Sequence, residues 1–377
     1  MVRFLHTADW QLGMTRHFLD ADAQPRFSDA RIEAIRTIGA LAEAERCELV
    51  VVCGDVFETN HVDRQAVVRA LDAMAATPNI RFFLLPGNHD PLDAASVFRT
   101  STFTAHQPAN VVVLDGTEPV AIRPGVELVA APWTTKRPTV DLVGTAVANL
   151  TDDGTVRIVV GHGAFDVDSP DTANPGLLRL AAAEEAIARG RVAYVALGDR
   201  HSTTSVGTTD RIFYAGAPEP TDFREIDPGN VLIVEVDHTG CSVTPHRVGT
   251  WQFERRTVHL TGASDVDHLD QELRALPHKA RTIVKLILIG QLTLLEHARL
   301  QTVLAHHGEL LASLDHDGAG SDLVVVPDET ELATLDLSGF AAAALEDLRV
   351  EAVEHHSAAA QGALGLLVRL ARSEDGP

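Results

Sequence analysis

The chain has 377 residues, is 45% hydrophobic and carries a formal net charge of -22, so it can bury a substantial core, and its length predicts two domains. That charge excludes a general electrostatic grip on nucleic acid, because affinity for a phosphate backbone comes from clustered Lys and Arg. A polyanionic substrate would need metal ions, a few local arginines or a basic partner subunit. Cys47, Cys53 and Cys241, odd in number and without CxxC spacing, exclude a disulfide framework and a zinc ribbon.

In chain order, five apolar runs each end in a cluster of Asp, Asn, Gln or His: FLHTADWQ at 4–11, LVVVCGD at 49–55, FFLLPGNHD at 82–90, IVVGH at 158–162 and YVALGDRH at 194–201. Such runs read as buried strands, and a polar cluster just past a strand end sits at a sheet rim, where open α/β sheets bind ligands. Helices are predicted at 25–47, with Ile32, Ile35 and Ile38 at three-residue spacing, and at 63–76. From Ala193 onward the character shifts to short strands at 211–215, 231–236 and 242–248, which predicts a second sheet packed on the first.

Near Trp251 the pattern changes to a smaller α+β unit. Its predicted elements are a helix at 265–276, a strand at 283–289, a helix at 293–306 and a strand at 323–326 stopped by Pro327. Thr293 with Glu296 fits a capping box. Ala-rich helical segments follow at 340–372, and the tail at 373–377 is expected to be disordered. The first residues run into a strand broken by His6 and Asp9, too polar for a secretory h-region, and no apolar stretch reaches transmembrane length. A cytoplasmic setting without membrane attachment is expected.

The ordered set DWQLG, GDVFE, GNHD, GH and GDRH, with Tyr214-Ala-Gly-Ala-Pro-Glu219 after it, resembles the calcineurin-like metallophosphoesterases, and within them the nuclease subunits of bacterial SbcCD-type repair complexes. The likeness covers about the first 250 residues. It implies a four-layer α/β/β/α sandwich at 1–250, a C-terminal α+β cap at 251–335 and a helical segment at 336–377 that binds a partner. It also implies two divalent metal ions, Mn²⁺ or Mg²⁺, in a centre that hydrolyses the phosphodiester bonds of DNA. Asp55 would bridge the metals, with Asp9, Gln11 and His201 completing one site and Asn88, His162 and Asp199 the other. His89 would stabilise the phosphate or protonate the leaving oxygen, and Asp90 would orient His89. An SbcC-type coiled-coil ATPase is the implied partner, a homodimer is implied by analogy, and the apolar Phe340, Leu345 and Leu348 would either bind that ATPase or pack within the chain.

Two positions depart from the family pattern. Gln11 and Asp199 stand where His is usual, which keeps an oxygen donor at each metal but removes an imidazole and favours harder ions. Asp199 also adds a negative charge, which predicts a weaker pull on phosphate unless Arg200 turns toward the site. A phosphodiesterase for small nucleotides and a catalytically weak, DNA-sensing partner of an ATPase remain alternatives.

Other residues have ordinary explanations. Taken singly, an Asp or Asn at a strand end is a turn residue or helix cap. Glu58 either touches substrate or stabilises its loop. His17, His61 and His106 read as solvated loop residues, and Cys53 as a small core residue. Arg16, Arg26 and Arg31 flank the first cluster and either contact phosphates or pair elsewhere. The pairs His306, His307 and His355, His356 lack a ligand pattern.

Overall fold

The computed structural model describes residues 1–167, 169–171, 173–316, 320–326, 339–353, 357, 359–360, 362–364 and 366–367. Pro327, the His355 and His356 pair, the tail at 373–377 and part of the 336–377 segment lie outside them. The chain divides into two compact units, Met1–His17 with Gln24–Trp251, and Phe18–Ala23 with Gln252–Pro377.

The first unit holds two six-stranded sheets. Sheet one runs β12 (Cys241–Arg247), β11 (Asn230–Val236), β1 (Val2–Thr7), β2 (Leu49–Cys53), β3 (Arg81–Leu85) and β4 (Val111–Val113). Sheet two runs β5 (Val120–Arg123), β6 (Val126–Ala130), β7 (Val156–His162), β8 (Tyr194–Gly198), β10 (Ile212–Tyr214) and β9 (Thr204–Ser205). In each sheet the central strands are parallel and buried on both faces, which is why they read as unbroken apolar runs. The period of two decides what each face meets. In β2, Val50 and Val52 pack under helices α1 (Ala23–Ala44), α2 (Arg64–Ala75) and α3 (Ser101–His106), while Leu49, Val51 and Cys53 face the space between the sheets. In β7, Ile158 and Val160 share that inter-sheet core, while Val159 packs outward with α4 (Leu142–Val147) and α5 (Leu180–Ala188). The order of layers is α/β/β/α.

One expectation is corrected. The short strands after Ala193 do not build one new sheet: β10 joins β8 in parallel, whereas β11 returns to pair antiparallel with β1, and β12 extends that edge. Burial alone does not choose a strand's neighbour, and both sheets offered an open edge. His106 likewise ends α3 instead of lying in a loop, its Nδ1 2.8 Å from the Thr102 carbonyl.

In the second unit β13 (Gln252–Leu260) pairs along one edge of the long β14 (Thr282–Thr293). The strands β15 (Ser313–Asp315) and β16 (Asp322–Val326) divide the other edge, all in parallel. Helices α6 (Ala263–Ala275) and α7 (Leu294–Gly308) bury Leu269, Leu273, Leu300 and Leu304 against β14. The capping box forms: Thr293 accepts from the Glu296 amide, and Glu296 accepts from the Thr293 amide. Of the residues in α8 (Gly339–Val353), Leu345 and Leu348 pack inward while Phe340 is 90% exposed. The Phe18–Ala23 segment belongs here: the Phe18 ring meets Phe253 edge-on at 6.2 Å, and its carbonyl accepts from Ser313 Oγ. Among the described residues no helix is long and apolar enough to cross a membrane.

Candidate metal centre

The five polar clusters follow β1, β2 and β3 of one sheet and β7 and β8 of the other, so the site lies where the C-terminal ends of two sheets converge. The first two loops are zipped together by backbone bonds, from the Asp9 amide to the Gly54 carbonyl, Gln11 to Asp55 and Leu12 to Val56. Trp10, 1% exposed, anchors the first loop through its indole N–H to Thr7 Oγ1. To turn the side chains inward the backbone enters the left-handed region at Asp9 (φ 53°), Gln11 (44°), Asp55 (52°) and Asp199 (98°). Such conformations cost of order 1–3 kcal/mol each in non-glycine residues and concentrate at functional sites. Gly54 (φ 86°) is required for a second reason, since a Cβ there would stand 2.1 Å from His162 Nδ1.

The side chains form two groups around Asp55. In one, His162 Nδ1 donates to the Cys53 carbonyl at 2.8 Å, which leaves Nε2 facing Asn88 Oδ1 at 2.6 Å, Asp55 Oδ1 at 3.5 Å and Asp199 Oδ1 at 3.8 Å. In the other, His201 Nε2 faces Gln11 Nε2 at 3.2 Å and Asp9 Oδ1 at 4.0 Å. Asp9, Asp55 and His162 each place a ligand atom within 4.8 Å of the other two. The Asp199 amide donates to both Asp9 oxygens at 3.1 Å, and the His89 amide donates to Asp55 Oδ1 at 2.9 Å.

The electrostatics follow from burying acids together. Burial pushes Asp9 up to about 7 against the pull of His201 and His162, and it also raises Asp199. Burial works against ionised Asp55 too, yet His162 and His89 hold it below the usual carboxylate range. Burial opposes charge on His162, but Asp55 carries its pKa well above the ordinary value. For His201, burial is outweighed by Glu225 and Asp9, which take it up to about 9. The residues fit divalent cations. Carboxylate, amide and imidazole side chains converge there, and the buried Gln11 Oε1 has no hydrogen-bond partner among the described residues.

The remaining expectations divide. Asp90 does not orient His89: wholly buried, it accepts from the Gly87 and Phe57 amides at 2.7 and 2.9 Å, and burial pushes it up to about 7. Those two buried N–H groups need a partner more than the histidine does. The His89 ring is held instead by the Glu58 carbonyl, 2.9 Å from Nδ1. Arg31 is buried, donating to the Glu219 and Pro220 carbonyls, and Arg16 donates to the Thr221 carbonyl. His17 and His61 are exposed, Cys53 is buried, and His307 is buried against Asp270 at 2.8 Å. Beside the two groups lies an open groove of about 550 Å³ lined by Gln11, Arg16, Glu58, His89, Arg200 and Arg224, among others.

Three residues without a sequence signal support the site. Trp133 donates its indole N–H to the His162 carbonyl at 2.8 Å, while Thr221 and Glu225 hold His201 Nδ1 at 2.7 and 2.9 Å. No motif marks them, because each acts across a long stretch of chain.

A two-sheet sandwich with acids and histidines gathered at converging strand ends defines a metallophosphoesterase. The chain belongs to the calcineurin-like phosphoesterase family, whose model matches residues 2–202. It is 32% identical over 94 residues to the D subunit of the SbcCD nuclease of Rhodobacter capsulatus, covering 24% of this chain and 22% of that protein. It is 27% identical over 124 residues to the D subunit of the SbcCD nuclease of Bacillus subtilis, covering 32% and 30%. The matches thus span less than a third of these relatives' own length. Among solved structures, TT1561 of Thermus thermophilus superposes with a TM-score of 0.42 at 8% identity, covering 66% of this chain and 99% of that one.

Proposed function

We propose that this chain is a metal-dependent DNA nuclease that hydrolyses phosphodiester bonds at a two-metal centre. The observation that carries the reading is the gathering of Asp9, Asp55 and His162, whose ligand atoms all lie within 4.8 Å of one another, with Asp55 Oδ1 3.5 Å from His162 Nε2. Asp55 would be shared by two divalent cations, Mn²⁺ or Mg²⁺, with the Asn88, His162 and Asp199 group completing the coordination of one and the Asp9, Gln11 and His201 group that of the other. Bound there, such a pair supplies an activated water and neutralises charge on the entering and leaving oxygens.

The chain's own residues do the rest. With the Glu58 carbonyl taking the proton of His89 Nδ1, Nε2 is the ring nitrogen left for the groove it lines, and in the doubly protonated ring its N–H would bind a phosphoryl oxygen or protonate the leaving 3′-oxygen. Asp90 fixes the loop that carries Asn88 and His89 by bonding its backbone. Arg200 on the groove wall offers local positive charge on a chain of net charge -22, whereas Arg224 is paired with Asp222.

DNA as substrate is supported by the likeness to proteins named as SbcCD nuclease subunits. The same likeness supports a second subunit as partner, an SbcC-type coiled-coil ATPase, with Phe340 as an exposed apolar contact.

The test is cleavage of end-labelled single- and double-stranded DNA with Mn²⁺, beside a small bis-phosphodiester and an Asp55→Ala control. DNA cutting that disappears in the control supports the reading. Cleavage of the small ester alone would replace DNA with a small phosphodiester, and inactivity even with a partner ATPase would make the chain a non-catalytic subunit.

A further inference from the structure

Glu225 is an acidic side chain that the chemistry above does not use, and its side chain is only 6% exposed. Its Oε1 lies 2.9 Å from His201 Nδ1, beside the Thr221 hydroxyl at 2.7 Å from the same nitrogen. The Thr221 hydroxyl donates to Glu225 Oε1, and the Thr221 amide donates to Oε2 at 2.9 Å. Arg16 fastens the Thr221 carbonyl, and Ser202 Oγ accepts from the Ile226 amide at 2.8 Å. The turn at 221–226 is thereby built around one carboxylate.

The consequence is directional. A carboxylate can only accept, and the Thr221 hydroxyl has already given its proton to Glu225, so both acceptors demand a proton on His201 Nδ1. The ring is held by that edge, and Nε2 is turned toward Gln11 and Asp9. We propose that Glu225, with Thr221, is the positioning residue that makes His201 a metal ligand, setting its ring orientation and basicity without touching the metal. This rests on the metal-centre reading above and deepens it. With a metal at Nε2 the arrangement would be a carboxylate–histidine–metal triad, a type of support whose loss costs roughly 10- to 100-fold in metal affinity. His162 has only the Cys53 carbonyl in the corresponding place.

The test is calorimetric titration of the metal-free chain with Mn²⁺, with thermal unfolding as a check on folding. The wild type is expected to take up two ions, and Glu225→Ala to lose affinity at one of them by about 10- to 100-fold. Glu225→Gln, which keeps an acceptor but not the charge, is expected to recover most of that loss. Added to His201→Ala, Glu225→Ala is expected to cost nothing more, since the ring it acts through is gone. Unchanged affinities in Glu225→Ala, equal losses at both sites, a full further loss in the His201→Ala background, or no rescue by Glu225→Gln would each overturn the inference. If Glu225→Ala does not fold, Thr221→Val carries the same test with a smaller expected loss. A wild-type chain that takes up no Mn²⁺ would overturn the metal-centre reading, and this inference with it.

Discussion

The two histidines at the heart of the site are held in opposite ways. His162 is fully buried at the end of β7, fixed by a main-chain carbonyl of the neighbouring sheet and by Trp133. His201 is 24% exposed on a loop and fixed by two side chains from another loop. One proposed ligand is placed by the sandwich itself, the other by a local network. The side built into the sheets should be rigid and tied to folding, while the loop-built side should be adjustable without unfolding the core.

The sharpest way to break the comparison is to remove Asp55, the carboxylate proposed to serve both sides. Asp55→Ala should abolish metal-dependent cleavage, a loss of about 10³-fold or more, equivalent to about 4 kcal/mol of transition-state stabilisation, measured as kcat/KM on the cleaved substrate. Gly54→Ala strikes the sheet-built side most directly. With a left-handed φ and a Cβ 2.1 Å from His162 Nδ1, it should cost about 2–3 kcal/mol or more of stability, read by denaturant unfolding.

His162→Ala and His201→Ala then separate the sides directly. The first strands the buried Cys53 carbonyl and should destabilise the metal-free chain by about 1–3 kcal/mol more than the second, because Glu225 keeps the Thr221 hydroxyl and amide as donors when the His201 ring is lost. Equal destabilisation would refute the contrast. The smallest effect is expected from Asp199→His, which removes one carboxylate from the centre. It should tighten substrate binding several-fold, about 1 kcal/mol, the scale of two unit charges about 4 Å apart with water-like screening, and a KM that is unchanged or higher would count against that charge argument.

What was legible in the sequence is what burial and spacing encode. The runs ending at Thr7, Cys53, Leu85, His162 and Gly198 are strands because both faces are buried, and their polar ends mark the rim. The capping box at Thr293 was equally local. The sheet joined by β10 or by β11 was not legible, since a short apolar strand looks the same whichever neighbour it pairs with. Asp90 misled because adjacency to His89 suggested a partner, whereas two buried amides had the stronger claim on it. Glu225 was invisible because it meets His201 across 24 positions of chain in an unpatterned loop.

The short stretch Phe18–Ala23 bears on how separable the molecule is. It is counted with the C-terminal unit, where Phe18 supplies a ring to Phe253 and a carbonyl to Ser313, yet it is encoded near the other end of the chain. A fragment starting at Gln252 therefore omits part of its own fold. Swapping the C-terminal unit between homologous proteins would need two grafts, and a recombination that moves only the distal one would leave Phe253 and Ser313 without their native partners.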